Sequence, residues 1–487
     1  MTRINEEFDR SRVNRHLRQR IANRNLVVKV KHFFTKTLGP GFVTGAADDD
    51  PSGVATFSQA GAQYGTQLMW LPLFVFPMMV CIQEMSARIG LVTHRGIIRI
   101  IKEEFPPYVL WLVGLITLPA VTINVGSDLL AMGAVANMLV PSVPTSLFSI
   151  IAGVLIICTL FFASYERVAN VLKWAACALV LYFCVPFFVK QDWGLVARSM
   201  ITPHFEFNAS YIGTVGAFLG TNISAYLFFW ESSMFVDHAE HRYGQLFDRP
   251  ADHIPHLHHE VKEMQKDNAF GMGIAVTIMF FVVWACASTL FASGVTDINT
   301  VDQAAKALEP IAGEFAYFLF AFAILASGFI AVPVLAGTCG YIAAEAFSLP
   351  RGMDKKLYEA KVFYAVMLVS VVLSLLINLT GIGAVQALIF SAVVYGITVP
   401  PTIWYILKIC NNPRIMGAYT NGFWSNFVGY FTFGIMSLAA VCLIFTTFIL
   451  PQPNDSGLTN APNSPSAPAP KTSPQSTLPL LNAPKIG

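Results

Sequence analysis

Three consecutive carboxylates stand in the middle of an apolar stretch near the start of the chain. Residues 45–53 read Gly-Ala-Ala-Asp-Asp-Asp-Pro-Ser-Gly, and apolar residues continue on both sides. A charged side chain at the centre of a membrane span costs about 2.5–3.5 kcal/mol on insertion scales, so such groups are usually functional. Pro51 lacks a backbone donor and disfavours helical geometry at Asp50. The pattern therefore predicts a discontinuous helix, with one half ending near Ala47 and the other starting near Gly53.

The predicted break combines groups that attract a cation. Unwound backbone at membrane depth persists only where it lines a cavity. Its freed carbonyls, a carboxylate and the negative end of a half-helix together form a cation site. We therefore expect a cation site at this break. The alternative is a short re-entrant or interfacial segment that leaves the three carboxylates in water.

A second cluster of small and polar residues lies in the middle of the sixth apolar stretch. Its members are Gly213, Gly216, Ala217, Gly220, Thr221, Asn222 and Ser224. Two interrupted segments five spans apart are typical of inverted repeats. The cluster therefore predicts a second broken helix that partners the first. Close helix packing through small residues is the alternative for this segment.

Further polar groups lie within or beside apolar stretches. Asn124 and Asp128 are four residues apart and share a helix face, so we expect them to face a cavity, with an interhelical hydrogen bond as the alternative. Glu84 and Arg88 have the same spacing, which favours a structural ion pair. The sequence leaves the role of Glu345 open.

Histidines crowd the segment after the sixth stretch. Six of the ten histidines lie there: His238, His241, His253, His256, His258 and His259. Their spacing matches no compact zinc motif, and acidic residues are interspersed. A solvated loop is therefore the favoured interpretation of residues 238–259, with a loose metal-binding or pH-sensing patch as the alternative.

The composition defines the class of protein that holds these groups. The chain has 487 residues, of which 55% are hydrophobic and only 12% are charged. Soluble domains carry about 25% charged residues. With a net charge of +2 and no basic domain, a nucleic-acid partner is not expected. Eight scattered cysteines without a CxxC pair predict small core residues, and no catalytic pair or cofactor motif is present, so neither an enzyme nor a cofactor is expected.

A helix needs about 20 apolar residues to cross a bilayer, and eleven stretches of this chain qualify. They lie near residues 38–62, 66–87, 109–139, 146–163, 168–189, 208–235, 269–293, 314–347, 362–379, 384–408 and 424–450. The sequence therefore predicts an all-α polytopic membrane protein with eleven transmembrane helices, of which spans 1 and 6 are broken.

The positions of the basic residues support this topology. If the N-terminus is cytoplasmic, alternate connections should carry Lys and Arg. All but five of the 31 basic residues then fall on the cytoplasmic side, and the exceptions are Lys190, Arg198, Lys306, Lys471 and Lys485. We therefore expect a multi-pass protein of the plasma membrane with its N-terminus inside.

The chain divides into five predicted segments. Residues 1–37 form a basic cytoplasmic segment, 38–189 the first five-helix repeat, 208–408 the second and inverted repeat, and 424–450 the eleventh span. Residues 451–487 are rich in Pro and Ser, and this composition predicts a disordered tail outside the cell.

The motif at residues 45–53, continued by Ser-Gln-Ala-Gly-Ala-Gln-Tyr-Gly at 58–65, resembles the Nramp family of divalent-metal transporters. Supporting similarity lies at residues 127–129, 216–217 and 391–400, and the resemblance covers about residues 38–450. It implies a leucine-transporter-like fold with an inverted 5+5 repeat plus one helix, and a metal between the two broken helices. It also implies that Asp50 is the binding carboxylate and that Ala217 offers its backbone carbonyl.

The chain departs from the usual family pattern at several of these positions. Gly53 replaces a side-chain amide in the first span, and Gly220, Thr221 and Asn222 align with Met-Pro-His in the sixth. Ala131 replaces a glutamate, and Ala392 a glutamine. These changes resemble the Nramp-related magnesium transporter branch. They remove a thioether, which favours softer metals, whereas oxygen ligands and water suit Mg²⁺ and Mn²⁺.

These observations predict a transporter of Mg²⁺, with Mn²⁺ accepted, that works by alternating access in the lipid bilayer. The expected metal residues are Asp50, Asp49, Gly53, Ala217, Gly220, Thr221 and Asn222, and the expected proton-carrying or supporting residues are Asp48, Asp128 and Asn124. The alternatives are a proton-coupled Mn²⁺/Fe²⁺ symporter of the ordinary Nramp type, an organic-solute symporter on the same fold, and a receptor or scaffold that transports nothing. A monomer is compatible with the sequence.

Overall fold

The computed structural model describes residues 40–162, 181–190, 192–243, 257–353 and 355–446, and these residues form helices and connecting segments without strands. The helices are α1 Pro40–Asp48, α2 Pro51–Tyr64, α3 Trp70–Thr93, α4 Ile97–Glu104, α5 Pro107–Leu139, α6 Thr145–Phe162, α7 Leu181–Phe188, α8 Trp193–Ile201, α9 Ala209–Asn222, α10 Ala225–Tyr243, α11 Leu257–Thr289, α12 Val301–Ala305, α13 Glu309–Ala312, α14 Ala316–Ala346, α15 Lys361–Ser374, α16 Ala384–Cys410, α17 Pro413–Met416 and α18 Phe423–Ile444.

Eight helical segments in the described part of the chain are long and apolar enough to cross a membrane. They are α3, α5, α9 with α10, α11, α14, α15, α16 and α18. The apolar helix α6 is shorter, the first span is divided into α1 and α2, and of the fifth span only α7 is described. The all-α membrane fold is confirmed, while the count of eleven spans stays a prediction.

One helix starts well before its predicted span. The sequence predicts a span from residue 269, whereas α11 begins at Leu257. Leu257, Val261 and Met264 are buried, and their spacing places them on one face of the helix. This buried apolar face stabilises the helix across residues 257–268, which are too polar to be predicted as part of a membrane span.

The helices differ in how much of their surface faces the protein interior. Among the candidate spans, α9 with α10 and α14 are the most buried, and α15 and α18 the least. The exposed faces carry large apolar residues such as Val369, Leu376, Phe427 and Leu438. Such a surface suits a lipid environment, in keeping with a multi-pass membrane protein.

Close contacts position the first broken span. Helix α1 packs against α11, where a side chain at Gly45 would collide with the backbone of Gly271. Helix α2 packs against α11, α16 and α9. The two halves of the first span therefore sit between helices of the second predicted repeat, as a site shared by two broken helices requires.

The expected ion pair at the end of α3 is confirmed. Arg88 Nε lies 3.0 Å from Glu84 Oε1, and Arg88 also donates hydrogen bonds to the Tyr419 carbonyl and to Asn421. These contacts tie α3 to the segment before α18, so the pair is structural.

The open question of Glu345 also has a structural answer. Its carboxylate accepts a hydrogen bond from Ser233 Oγ at 2.8 Å and lies 3.3 Å from Arg351 Nη1. Arg351 also lies 3.6 Å from Asp237, whose carboxylate accepts a hydrogen bond from the Tyr341 hydroxyl at 2.6 Å. This buried cluster joins α10 to α14.

Several predictions concern residues beyond the described part of the chain. The basic N-terminal segment, the tail after residue 446 and most of the histidine-rich segment lie outside it. The seven described cysteines are free, but only Cys286, Cys339 and Cys410 are buried, and Cys158 is exposed on the apolar surface of α6. The prediction of core cysteines is therefore wrong for Cys158.

Candidate functional site

The first span breaks at the three carboxylates. Helix α1 ends at Asp48 and α2 begins at Pro51, so only Asp49 and Asp50 lie between them. The predicted break is confirmed, but α2 begins two residues before the predicted start at Gly53. Asp50 is the N-cap of α2, and proline is favoured at the first helical position because its missing donor has no partner there in any case.

The carboxylate of Asp50 is fixed by three donors. Its Oδ1 accepts hydrogen bonds from the Gly53 backbone at 2.6 Å and from Ser52 Oγ at 2.7 Å. Its Oδ2 accepts one from Asn124 Nδ2 at 2.9 Å. The amide oxygen of Asn124 in turn accepts a hydrogen bond from Ser391 Oγ at 2.8 Å. Helices α2, α5 and α16 therefore meet at one buried carboxylate.

The sixth span breaks later than its glycines suggest. Helix α9 is continuous from Ala209 to Asn222, and only residues 223 and 224 separate it from α10. A side chain at Gly220 would meet the backbone of α16, with its Cβ 2.8 Å from Gly396 Cα. The second break is confirmed, but Gly220 also provides the close packing that the sequence left as an alternative.

The two breaks meet through a pair of hydroxyl groups. Ser52 Oγ, which donates to Asp50, lies 3.3 Å from Thr221 Oγ1 in the last turn of α9. On the other side, the Tyr226 hydroxyl donates a hydrogen bond to the Ala47 carbonyl at the end of α1, at 3.2 Å. The breaks therefore form one contiguous polar region.

Several buried oxygens in this region have no hydrogen-bond partner among the described residues. They are Asp48 Oδ1, both carboxylate oxygens of Asp128, Asn222 Oδ1 and the Tyr395 hydroxyl. Leaving such a group unpaired costs about 1–3 kcal/mol, so each is a candidate for contact with a cation or with its water. Asp128 and Tyr395 are both close enough to Asp50 to interact with its charge.

The charges of the site are not balanced by basic side chains. In the described ranges, Asp48, Asp49, Asp50 and Asp128 are all buried, and none of them forms an ion pair with Lys, Arg or His. Buried carboxylates require a compensating positive charge or a proton. A region with this electrostatic character suits a cation.

The structure brings some predicted residues together and separates others. Asp50, Gly53, Asn124 and Thr221 are linked by hydrogen bonds, and Asp128 lies near them. Asn222 donates to the Phe218 carbonyl and keeps its amide oxygen unpaired. Asp49 is buried at the break itself.

Ala217 lies inside α9, five residues before the helix ends, and lines a cavity between α2, α9 and α16. Gly220 faces α16. Among the described residues, no three His, Cys, Asp or Glu side chains are close enough to hold a metal by themselves. Two of the predicted metal residues, Ala217 and Gly220, therefore contact the cavity and α16 respectively.

Sequence reasoning missed four residues near the break: Ser52, Ser391, Tyr226 and Tyr395. The rings of Tyr226 and Tyr395 lie 5.5 Å apart, between α10 and α16. Ser391 and Tyr395 are four residues apart and so share a face of α16, which was the available signal. Glu231 in α10 was also missed, and both its oxygens are buried without a hydrogen bond.

The sequence is similar to known proteins over most of its length. Residues 41–446 match the Nramp family model, described as natural resistance-associated macrophage protein-like. The divalent metal cation transporter MntH of Pectobacterium carotovorum is 23% identical over 404 residues, which cover 80% of this chain and 90% of that protein. The MntH of Clostridium acetobutylicum is 23% identical over 420 residues, covering 85% and 91%.

Solved structures share the fold. The Eremococcus coleocola manganese transporter, in complex with an aromatic bis-isothiourea substituted compound, superposes with a TM-score of 0.66 at 16% identity, covering 85% of this chain and 88% of that one. MhsT in complex with L-phenylalanine gives a TM-score of 0.59 at 11% identity, covering 84% and 98%. The expected leucine-transporter-like fold is confirmed.

The fold and the two broken helices define a multi-pass helical membrane protein. The chain belongs to the Nramp family, whose members are metal transporters and not enzymes.

Proposed function

We propose that this protein carries divalent metal cations across the membrane by alternating access, with Mg²⁺ as the main substrate and Mn²⁺ accepted. The observation that carries the proposal is the buried carboxylate of Asp50, held where the break in the first span meets the break in the sixth. Its negative charge lies where the two halves of the first span meet, and no basic side chain in the described part of the chain pairs with it.

The donors around Asp50 favour a hard cation. Hydroxyl, amide and carboxylate oxygens are available from Thr221, Asn222 and Asp128, and such oxygens suit Mg²⁺ and Mn²⁺. We propose that Asp50 binds the ion directly or through water, with help from the other predicted metal residues, which are Asp49, Gly53, Ala217, Gly220, Thr221 and Asn222. Asp48, Asp128 and Asn124 support this set.

The hydrogen bonds of Asp50 limit how it binds a metal. A carboxylate has about four lone-pair sites, and three of those on Asp50 already accept hydrogen bonds. One site therefore remains for direct coordination. This arrangement favours a cation that keeps most of its water, as Mg²⁺ does.

A second candidate is a proton-coupled Mn²⁺/Fe²⁺ symporter. Similarity to proteins named as a manganese transporter and as divalent metal cation transporters supports Mn²⁺ as the physiological substrate. An organic-solute symporter is less well supported, because a substrate carboxylate would meet the carboxylates of the site. We further propose a plasma-membrane location with the N-terminus inside and two inverted five-helix repeats.

Uptake into proteoliposomes separates these functions. We expect saturable Mg²⁺ uptake that Mn²⁺ inhibits, and no uptake of an amino acid. In the Asp50→Ala variant both metal fluxes should be lost, whereas Asp302→Ala, at an exposed position on α12, should transport normally. Uptake of Mn²⁺ without Mg²⁺ would select the second candidate, and normal metal flux in a folded Asp50→Ala protein would refute the proposed site.

A further inference from the structure

A cavity of about 290 Å³ lies between α2, α9, α16 and residues 297–299, and we refer to it as the vestibule. Thr56 and Ala217 line it at the end nearer the two breaks, because Thr56 follows the start of α2 and Ala217 precedes the end of α9. Gln63 and Ser210 line the far end. The vestibule therefore extends from the neighbourhood of the breaks to the ends of α2 and α9 that are predicted to face outside.

Most of the vestibule surface is apolar, but polar side chains also line it, and it carries no positive charge. Its polar lining consists of one carboxylate, four amides and hydroxyl groups, and none of its lining residues is Lys, Arg or His. The carboxylate belongs to Asp297. With a single negative charge and many oxygen acceptors, the vestibule is suited to a hydrated cation rather than to an anion.

Asp297 is held in place by a side chain on α2. Gln59 Oε1 accepts a hydrogen bond from the Ile298 backbone at 2.9 Å, and Gln59 Nε2 donates one to the Thr296 carbonyl at 3.3 Å. Both peptide neighbours of Asp297 are therefore fixed by one amide. Ile298 is also buried, which anchors this short connection against the helices.

A capping box anchors the other end of the connection. The side chain of Thr300 accepts a hydrogen bond from the Gln303 backbone, and Gln303 Oε1 accepts one from the Asn299 backbone at 2.7 Å. The position of Asp297 is therefore set by contacts on both sides, although its side chain is exposed.

Three side chains at the vestibule keep their acceptors available. The side chains of Asp297, Asn299 and Gln386 make no hydrogen bond to described residues. Asn299 donates only from its backbone, to Gln303 Oε1. By contrast, Gln63 is engaged, because it donates to Ser210 Oγ at 2.7 Å and accepts from Thr214 Oγ1 at 3.0 Å. The available oxygens can accept hydrogen bonds from metal-bound water.

The volume fits a cation with its full water shell. Octahedral Mg²⁺ carries six waters, and at about 30 Å³ for each water the shell occupies roughly 180 Å³. The vestibule, at about 290 Å³, accommodates this ion without dehydration.

We propose that the vestibule is a loading site, where a hydrated divalent cation is held through its water before it reaches Asp50. Asp297 supplies the charged contact, and Gln59 is a positioning residue that acts through Asp297. The inference rests on the proposed function, because it assumes that a divalent cation is the transported species.

Transport kinetics test the role of Asp297. In proteoliposomes, Asp297→Asn should raise KM for Mg²⁺ by about tenfold, the lower end of the range for electrostatic concentration of a charged substrate, with kcat unchanged. The matched control is Asp302→Asn, an exposed acid on α12 that does not line the vestibule and should leave KM unchanged. An unchanged KM in Asp297→Asn would overturn the proposal.

A double-variant comparison tests Gln59. Gln59→Leu should raise KM as Asp297→Asn does, and the combination of the two should be no worse than Asp297→Asn alone, because Gln59 acts through Asp297. Effects of the two variants that multiply, or a fall of kcat in Gln59→Leu with KM unchanged, would contradict the positioning role.

Equilibrium binding separates the loading site from the transport site. Mn²⁺ binding to purified Asp50→Ala protein, measured by electron paramagnetic resonance, should retain one weak site with a hydrated-ion spectrum. Asp50→Ala combined with Asp297→Asn should lose it. No Mn²⁺ binding to Asp50→Ala, or binding that survives the second substitution, refutes the loading site, whereas failure of the proposed function would appear as absent metal flux in the unaltered protein.

Discussion

Asn124 donates a hydrogen bond from its side-chain nitrogen to Oδ2 of Asp50, at 2.9 Å, and this bond joins α5 to the break in the first span. Because Ser391 donates to the amide oxygen of Asn124, the chain of contacts extends to α16. A donor at this position fixes the orientation of the carboxylate and occupies one of its lone pairs. A cation at the proposed site would therefore meet a preorganised carboxylate.

Asn124→Ala should weaken cation binding. A hydrogen bond to a charged group contributes about 1.5–3 kcal/mol, so its loss should raise KM for Mg²⁺ by roughly tenfold to a hundredfold. Ser391→Ala, one bond further away, should have a smaller effect. The control is Asn137→Ala on the same helix, where the side chain donates only to the Val143 carbonyl. Concentration dependence of Mg²⁺ uptake gives these values, and a larger effect for Ser391→Ala would contradict the order.

Gly53→Asn should shift the preference from Mg²⁺ towards Mn²⁺, because it adds an amide oxygen next to Asp50. A Cβ at Gly53 would lie 3.2 Å from the Phe57 ring and 3.3 Å from the Asp48 carbonyl, so a small adjustment accommodates it. Competition between Mn²⁺ and Mg²⁺ for uptake measures the preference. Gly422→Asn, in open space before α18, is the control, and an unaltered preference in a transporting Gly53→Asn protein would show that this position does not face the ion.

Substitution by alanine should have opposite effects on stability at two glycines of α9. A Cβ at Gly220 meets the backbone of Gly396, whereas a Cβ at Gly213 meets nothing within 4 Å. Overpacking costs about 1–3 kcal/mol, so Gly220→Ala should lower the thermal unfolding temperature in detergent. The unfolding temperature of Gly213→Ala should match or exceed that of the unaltered protein, because alanine stabilises a helix by about 0.5–1 kcal/mol relative to glycine. Equal unfolding temperatures would mean that α9 and α16 do not pack this closely.

Arg351→Leu should strongly destabilise the contact between α10 and α14. It removes the guanidinium that lies 3.3 Å from the buried Glu345 carboxylate and 3.6 Å from Asp237, and removal of one member of a buried ion pair costs about 3–5 kcal/mol. Lys355→Leu is the matched control, because its ion pair with Glu240 is solvent-exposed and contributes at most about 1 kcal/mol. Unfolding temperatures of both variants test the difference, and similar losses would show that burial does not distinguish the two pairs.

Metal influx should not be strictly coupled to protons. The sixth span has no histidine before His238, and Ala131 stands where the resemblance to the family implies a glutamate. A pH-sensitive dye inside proteoliposomes, with the membrane potential clamped by potassium and valinomycin, should show metal uptake without metal-dependent acidification. If acidification follows metal uptake, Asp128→Asn is the first variant to make and Glu231→Gln the second, because both carboxylates are buried and accept no hydrogen bond from a described residue.

The sequence was sufficient for the all-α membrane class and for the two helix breaks, because the signals for these features are local. Apolar stretches long enough for a bilayer predicted the spans, and the Asp triplet followed by Pro51 predicted a break that the structure confirms. The position of the break was off by two residues, because Pro51 was interpreted as disrupting the helix that it begins. The glycines of the sixth span were interpreted mainly as a break, although Gly220 is also a packing contact with α16.

The sequence by itself determined that a carboxylate must stand at a helix break within the membrane, since composition and spacing along the chain establish this. Only the tertiary structure decided which side chains surround this break. Asn124, Ser391, Thr221 and Tyr226 come from four other helices, and their contacts depend on crossing geometry that no local pattern encodes. The same reason explains why the Gln59 contacts on either side of Asp297 were invisible in the sequence, where 237 to 239 positions separate the partners.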